Sequence, residues 1–195
     1  MTEDEVLAEF RASQALLEGH FLLSSGRHSA YYLQCARVLM DPERAGRLAL
    51  ALVQKLPREL RSQVEKVVSP AMGGIIIGHE VGRALGVRAL FAERQDGALT
   101  LRRGFVIAEN DRVLVVEDVL TTGGSTRETM QVAKASGARV VGAASIVNRS
   151  AGPPDVDVPF ASLLDVDLPT HEPGSCPLCA QGLPVVKPGS RPVAS

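Results

Sequence analysis

Tryptophan is absent from the 195 residues, and two tyrosines and five phenylalanines make up an aromatic share of 4%. So few rings leave little for a stacking surface. Charge of one sign is also missing: 21 Lys and Arg against 22 Asp and Glu give a formal net charge of −1. A balanced chain has no global field to hold nucleic acid, so any anion site must be local. No apolar run approaches the roughly 20 residues that span a bilayer. The first nine residues, Met1 to Glu9, are acidic and lack the basic-then-apolar pattern of a secretion signal. The expectation is a cytoplasmic protein that meets neither membrane nor nucleic acid. Cysteine is sparse and odd in number: Cys35, Cys176 and Cys179. That argues against a secreted disulfide scaffold. Cys176-Pro-Leu-Cys179 has the spacing of half a zinc site. A full site would need Cys35, His171 or a second chain to complete four ligands. The plainer reading is two thiols near the chain's end.

What is present points to one α/β domain with a buried core: 45% hydrophobic and 22% charged residues. Val6, Leu7, Phe10, Leu16 and Leu17 are spaced for a helix over 3–18, with Gly19 as its stop. Between His20 and Leu33, Ser, Gly and aromatic residues suggest a strand, a turn and a second strand. Asp41-Pro42 opens a helix whose apolar face is Leu48, Leu52, Val53 and Leu56. From Lys66 onward strands and helices alternate. Strands are expected at 66–69, 87–91, 112–117 and 139–148, and helices at 75–85 and 125–136, closed by Gly86 and Gly137. That alternation predicts a parallel sheet covered on both faces. Ligands of such sheets bind at the carboxyl ends of the strands. The Pro- and Gly-rich stretch 170–195 reads as a surface tail or a partly disordered one.

One segment carries most of the chemistry: Val113-Leu-Val-Val-Glu-Asp-Val-Leu-Thr-Thr-Gly-Gly-Ser125. An apolar strand ends in two adjacent acids, Glu117 and Asp118. A loop of hydroxyls and glycines follows, and then a helix. Gly123 and Gly124 lack a Cβ, so backbone N–H groups can approach a ligand. Thr121, Thr122 and Ser125 add hydroxyl donors, and the helix adds its positive end. Such a cradle suits a monophosphate. The acids suit ribose hydroxyls, or Mg²⁺ through water. No Gly-Lys-Ser/Thr ends the loop, and there is no Gly-x-Gly-x-x-Gly, so neither a Walker loop nor a dinucleotide fingerprint is present.

Glu117 to Ser125 resembles the phosphoribosyl pyrophosphate (PRPP) motif of type I phosphoribosyltransferases. Three more segments are similar to the orotate branch of that family. Phe21-Leu-Leu-Ser-Ser-Gly-Arg-His-Ser-Ala-Tyr-Tyr32 resembles its hood, where Tyr31 and Tyr32 fall on positions that line the base pocket. Ser69-Pro-Ala-Met-Gly-Gly-Ile75 resembles its pyrophosphate loop and places Met72 and Gly73 against the diphosphate. Phe91 to Phe105 lies where the family has a mobile lid, with Gly97 and Gly104 as hinges and Arg94, Arg102 and Arg103 to neutralise phosphate. Arg149 falls where the family places an arginine that forks onto the orotate carboxylate.

The resemblance implies a type I fold: a parallel sheet flanked by helices, a small N-terminal hood and a flexible lid. On that plan 1–40 form the N-terminal helix and hood, 41–165 the core and 166–195 a C-terminal extension. It implies a Mg²⁺-dependent enzyme that joins PRPP to orotate, with Mg²⁺ held mainly through PRPP rather than by side chains. Glu117, Asp118, Arg94 and Arg102 are then the catalytic candidates. Val119 and Leu120 join residues 117–118 and 121–125 along the PRPP site, and Thr121 also reaches orotate. The lid would act on the neighbouring subunit of a homodimer. Ser24 and Met72 stand where many members carry Lys, and this lid has arginines where many carry Lys and His. Arginine stays protonated, so the resemblance names no proton donor. A purine phosphoribosyltransferase would share the PRPP motif but has no use for Arg149. A PRPP-sensing regulator would be expected to carry a basic face or a further domain.

Overall fold

The computed structural model describes residues 1–23, 25–150, 152 and 154–188. Ser24 and residues 189–195 of the extension lie outside the described residues. The first helix, α1 (Glu3–Ala12), starts in a capping box. The Thr2 hydroxyl accepts from the Glu5 amide at 3.2 Å, and the Glu5 carboxylate accepts from the Thr2 amide at 2.8 Å. The helix is shorter than its apolar spacing predicts. Ser13 caps it, its hydroxyl donating to the Glu9 carbonyl at 2.8 Å, and Gln14 turns the chain at φ 53°. Leu16 and Leu17, read as the helix's last turn, instead open strand β1 (Leu16–Leu22), and Gly19 sits inside that strand. Their pairing with Leu33 and Tyr32 outweighs a local helical preference.

β1 pairs antiparallel with β2 (His28–Leu33), with a register shift between Glu18 and Phe21. Two short turns of helix follow around a longer one: α2 (Cys35–Leu39), α3 (Pro42–Lys55) and α4 (Arg58–Arg61). Asp41 caps α3 by accepting from the Glu43 and Arg44 amides at 3.0 and 3.1 Å. Leu48 and Leu52 on its inner face are fully buried, each worth about 1.5–3 kcal/mol of transfer free energy.

The core sheet is built from β3 (Lys66–Pro70), β4 (Arg88–Gln95), β5 (Ala98–Leu101), β6 (Arg112–Leu120), β7 (Arg139–Asn148) and β8 (Phe160–Asp165). Helix α5 (Gly74–Leu85) links β3 to β4, and α6 (Gly124–Ala135) links β6 to β7. The strand order is β5-β4-β3-β6-β7-β8. Five strands run parallel. β5 returns antiparallel on β4, so the sheet is mixed rather than wholly parallel. Gly86 and Gly137 end their helices at φ 70° and 79°, as the sequence pattern predicts.

Strand alternation divides the core. Val67, Leu114, Val116, Ala144 and Ile146 pack toward α1, α3 and α5. Val68, Val113, Val115 and Ala143 pack toward Met130 and Ala133 of α6. Both faces are covered, which explains the near-continuous apolar runs in these strands. The chain leaves β3 toward β4 on one side and returns to β6 on the other. The carboxyl ends of β3 and β6 therefore flank the switch point where such sheets bind ligands.

The extension is not a loose tail where it is described. β9 (Thr170–His171) adds a third strand to β2, and α7 (Pro177–Ala180) follows a single 3₁₀ turn. The Val186 amide donates to the His20 carbonyl at 2.8 Å and the Leu22 amide to the Val186 carbonyl at 2.9 Å. Among the described residues, no helix is long and apolar enough to cross a membrane.

Candidate active site

Both anion-facing loops leave the switch point. After β3, Ala71 donates its amide to the Ala92 carbonyl at 2.7 Å, the Ala71–Met72 peptide is cis, and α5 begins at Gly74. Small residues are needed here because the loop is pressed against its neighbours. A Cβ on Gly73 would come within 2.5 Å of an Asp118 carboxylate oxygen. One on Gly74 would meet the Val116 carbonyl oxygen at 3.1 Å. Met72, in contrast, is 81% exposed.

After β6, Thr121 and Thr122 are exposed and Gly123 adopts φ 72°, the left-handed region that favours glycine. It is the N-cap of α6, and no side chain caps that end. The first amides of the helix and its positive pole are thus free to face an anion. Arg127 braces the loop from behind. It donates to the Thr122 carbonyl at 3.0 Å and to the Asp155 carbonyl at 2.9 Å. Sequence reading missed Arg127 because its role depends on Asp155, a residue 28 positions away.

Glu117 and Asp118 continue the alternation of β6, so their side chains leave on opposite faces. Glu117 takes the α6 side, where the Thr126 hydroxyl donates to it. Burial raises its pKa to about 7; the Thr126 hydrogen bond opposes the rise and the neighbouring Asp118 charge adds to it. Asp118 takes the α5 side against Gly73. Burial raises its pKa too, while the amides of Val119 and of Asp118 itself pull it down. Thr126 is a further missed residue, legible only as a hydroxyl one turn into the helix.

Val119 packs on the main core and Leu120 is 1% exposed. Leu120 also uses its carbonyl to accept the Arg149 amide at 2.8 Å. Leu120 is turned into the core and Val119 only partly so, which leaves their backbone as the part of them that faces the loop. Arg149, just beyond β7, is half-buried, and among the described residues its Nε has no hydrogen-bond partner. Burial lowers its pKa, and Tyr32 and Cys35 oppose that shift. Tyr32 lies in the same field. Burial and the Asp118 charge raise its hydroxyl, and Arg149 pulls it back. Tyr32 also packs on Phe21, ring centroids 5.9 Å apart. Tyr31, its neighbour in β2, points to the opposite face. Asp118 and Arg149 thus both bear on the Tyr32 hydroxyl, while strand alternation turns Tyr31 to the other face.

The segment expected as a lid is an antiparallel hairpin. Asp96 and Gly97 take φ 50° and 88°, the two positive values of a type I′ turn. Gly97 is therefore a turn residue rather than a hinge. Arg94 pairs with Glu128 of α6 at 3.0 Å and also donates to the Gly97 carbonyl. Arg103 pairs with Glu93 at 2.9 Å and lies 5.7 Å above the Phe91 ring. Arg102 is exposed.

Two loops of small residues with an acid between them sit at the switch point of this mixed sheet, and comparison with known proteins shows the class to be the phosphoribosyltransferases. Residues 43–172 match the family model described as a phosphoribosyl transferase domain. The chain is 61% identical over 191 residues to the orotate phosphoribosyltransferase of Erythrobacter litoralis, covering 98% of this chain and 99% of that one. It is 52% identical to that of Heliobacterium modesticaldum, over 98% of this chain and 100% of the other. The solved orotate phosphoribosyltransferase of Aeropyrum pernix shares the fold, with a TM-score of 0.69 at 24% identity, over 83% of this chain and 93% of that one. The chain belongs to the orotate phosphoribosyltransferase family.

Proposed function

We propose that this transferase moves ribose 5-phosphate from PRPP to a ring nitrogen of orotate, giving orotidine 5′-monophosphate and pyrophosphate. The observation that carries the choice of base is the half-buried Arg149 guanidinium, whose Nε has no partner among the described residues and whose charge bears on the Tyr32 hydroxyl. A buried donor without a partner is costly, and a base bearing a carboxylate would satisfy it. A purine has no such group. The kinship with named orotate phosphoribosyltransferases supports the same reading.

In this mechanism the 5-phosphate rests on Thr121, Thr122, Gly123, Gly124 and Ser125, where the uncapped α6 end supplies amides. The diphosphate lies along Met72 and Gly73. Glu117 and Asp118 hold the ribose hydroxyls from the two sides of β6. The bond from C1 to pyrophosphate breaks ahead of the new C1–N bond, and the transition state resembles an oxocarbenium ion. Fixed dipoles and charges around that carbon lower the barrier by positioning and electrostatics. The Asp118 carboxylate offers hard oxygen donors, so the residues fit Mg²⁺: it would be held mainly through PRPP, with Asp118 reaching it through water. Bound with PRPP, such an ion would supply positive charge to offset that of the diphosphate.

The hairpin of β4 and β5 serves as the lid, excluding water from a cation that water would destroy. It works across a homodimer, with Arg94 and Arg102 reaching the phosphates of the partner subunit. The test follows orotate absorbance with Mg²⁺ and PRPP, with hypoxanthine and uracil as parallel acceptors. PRPP-dependent loss of orotate is the expected result. Turnover of another base instead would discard the Arg149 argument, and PRPP binding with no turnover of any base would point to a regulator.

A further inference from the structure

Four side chains outside the active site converge on one point. His20 comes from β1, His28 from β2, and Cys176 and Cys179 from the start of α7. Their ligand atoms all lie within 4.8 Å of one another. His20 Nε2 is 2.8 Å from His28 Nδ1, 3.5 Å from Cys176 Sγ and 3.7 Å from Cys179 Sγ. Cys179 Sγ is 3.3 Å from His28 Nδ1. Zinc–nitrogen bonds of about 2.0–2.1 Å and zinc–sulfur bonds of about 2.3 Å at tetrahedral angles separate ligand atoms by roughly 3.3–3.8 Å. Of the six pairs among four ligand atoms, three of the four distances given fall in that range, and the two nitrogens would part by about half an ångström to admit an ion.

We propose that His20, His28, Cys176 and Cys179 form a structural zinc site that fastens the C-terminal extension to the hood. The chemistry of the cluster favours this over a set of hydrogen bonds. His20 Nδ1 lies 2.8 Å from the Leu183 carbonyl oxygen, which can only accept, so Nδ1 carries the hydrogen. Nε2 is then left with a lone pair aimed into the cluster, the arrangement by which a backbone carbonyl orients a metal-bound imidazole. A proton on His28 Nδ1 would satisfy the two imidazoles alone. It gives no reason for two thiols to crowd the same nitrogens. His20, His28 and Cys176 are 4%, 6% and 3% exposed, so the ligands are largely shielded from water. Two thiolates and two neutral imidazoles cancel the charge of a divalent ion. Four protein ligands leave no open position, which is the mark of a structural rather than a catalytic site. Tetrahedral S₂N₂ sets select zinc among common divalent ions.

The fold gives the site a task. β9 is two residues long and contributes little alone. Arg27 helps by donating to the Thr170 hydroxyl and carbonyl, each at 2.8 Å. Beyond Glu172 the extension has few buried groups, and Cys176 is its buried hydrophobic anchor among the described residues. A metal there turns a weakly attached segment into part of the hood.

The test uses untagged chain purified under reducing conditions. Elemental analysis is expected to find one zinc per chain after dialysis against a weak chelator. Stripping with a zinc-selective chelator in excess Mg²⁺ and reloading with Co²⁺ should give the ligand-field bands of a tetrahedral site and thiolate-to-cobalt charge transfer. Cys179→Ser, at the exposed ligand, should lose the ion and weaken the charge-transfer band. Amides of 170–186 should exchange faster in the stripped protein, while those of β3 and β6 keep their protection. Substoichiometric zinc with no cobalt spectrum in the wild-type chain would overturn the proposal, as would a Cys176–Cys179 disulfide in the freshly purified reduced protein. None of these readouts depends on turnover, so they stand apart from the assignment of the reaction.

Discussion

The Gly73 backbone lies directly against the Asp118 carboxylate, so close that a single added methyl would reach within 2.5 Å of an oxygen. Gly73 opens helix α5 and Asp118 lies near the end of strand β6, so their contact sets the spacing between the loop after β3 and the acid. Gly73→Ala must push that acid or the loop aside. A misplacement near 1 Å costs on the order of 100-fold in rate. The expected outcome is a fall of that order in kcat/KM with an unchanged circular dichroism spectrum. Asp118→Asn should lower kcat by a similar order without adding bulk. If both variants turned over normally, the acid would have no part in the reaction.

Glu117 carries a pH signature. Its carboxyl titrates near pH 7 in the fold against an ordinary 4.5. Between those values the native state binds a proton that the unfolded chain has released. Stability therefore falls as pH rises from about 4.5 to about 7, and the loss is complete above that window. The Tm of the ligand-free protein, followed from pH 5 to 8, should show this decline, and Glu117→Gln should flatten it. Thr126→Val removes the hydrogen bond that opposes the shift, so the decline should extend to higher pH. A wild-type profile identical to that of Glu117→Gln would refute the assignment.

Arg149 is expected to separate the two substrates. Arg149→Ala should weaken orotate binding by roughly 30-fold or more, the scale of losing one side of a charge-assisted pair at 2–5 kcal/mol. PRPP affinity, read by calorimetry, should be unchanged. Arg149→Lys should not rescue, because an ammonium cannot fork onto a carboxylate.

Arg94 is engaged with Glu128 on the flank of the phosphate-loop helix. The pair is exposed, so its loss should hardly change Tm. Arg94→Ala should slow turnover by about 10-fold if the guanidinium leaves Glu128 to meet phosphate. Glu128→Ala should leave turnover equal or faster. Mixing Arg94→Ala chains with Asp118→Asn chains tests the shared lid. A two-fold dimer with random exchange would regain about a quarter of wild-type activity. No gain over the separate variants would place the lid over its own subunit.

Much of this architecture was legible in the chain. Helix caps at Asp41, stops at Gly86 and Gly137, and the β-branched runs around Val67 and Val113 encode their elements locally. The turn between β6 and α6 was legible for the same reason, since Gly123 supplies both the turn and the helix start. The failures have a common physical cause. Leu16 and Leu17 fit a helical stripe and a strand equally well, and only their partners Leu33 and Tyr32 decide. Tyr31 and Tyr32 are adjacent in sequence and opposed in space, because a strand alternates. Asp96-Gly97 carries a hairpin signal that a loop assignment obscured. The thiols of Cys176 and Cys179 did not find their partners in Cys35 or His171, because His20 is 156 positions from Cys176 and no local pattern spans that distance.

The third strand of the hood bears on how the protein is made. Arg27 and Thr170, which join across β2 and β9, are 143 positions apart. During synthesis the first two hood strands leave the ribosome long before the third exists. β2 must wait with one hydrogen-bonding edge open while the whole α/β core is translated. Val166 and Leu168 at the start of the extension pack on the core, but the strands β3 to β8 all precede them and can assemble around β3 and β6 first. Closing so long a loop is slow, and an unpaired strand edge is where nascent chains associate wrongly. The hood is thus the last part to mature, and its sheet is completed only after the whole core has been translated.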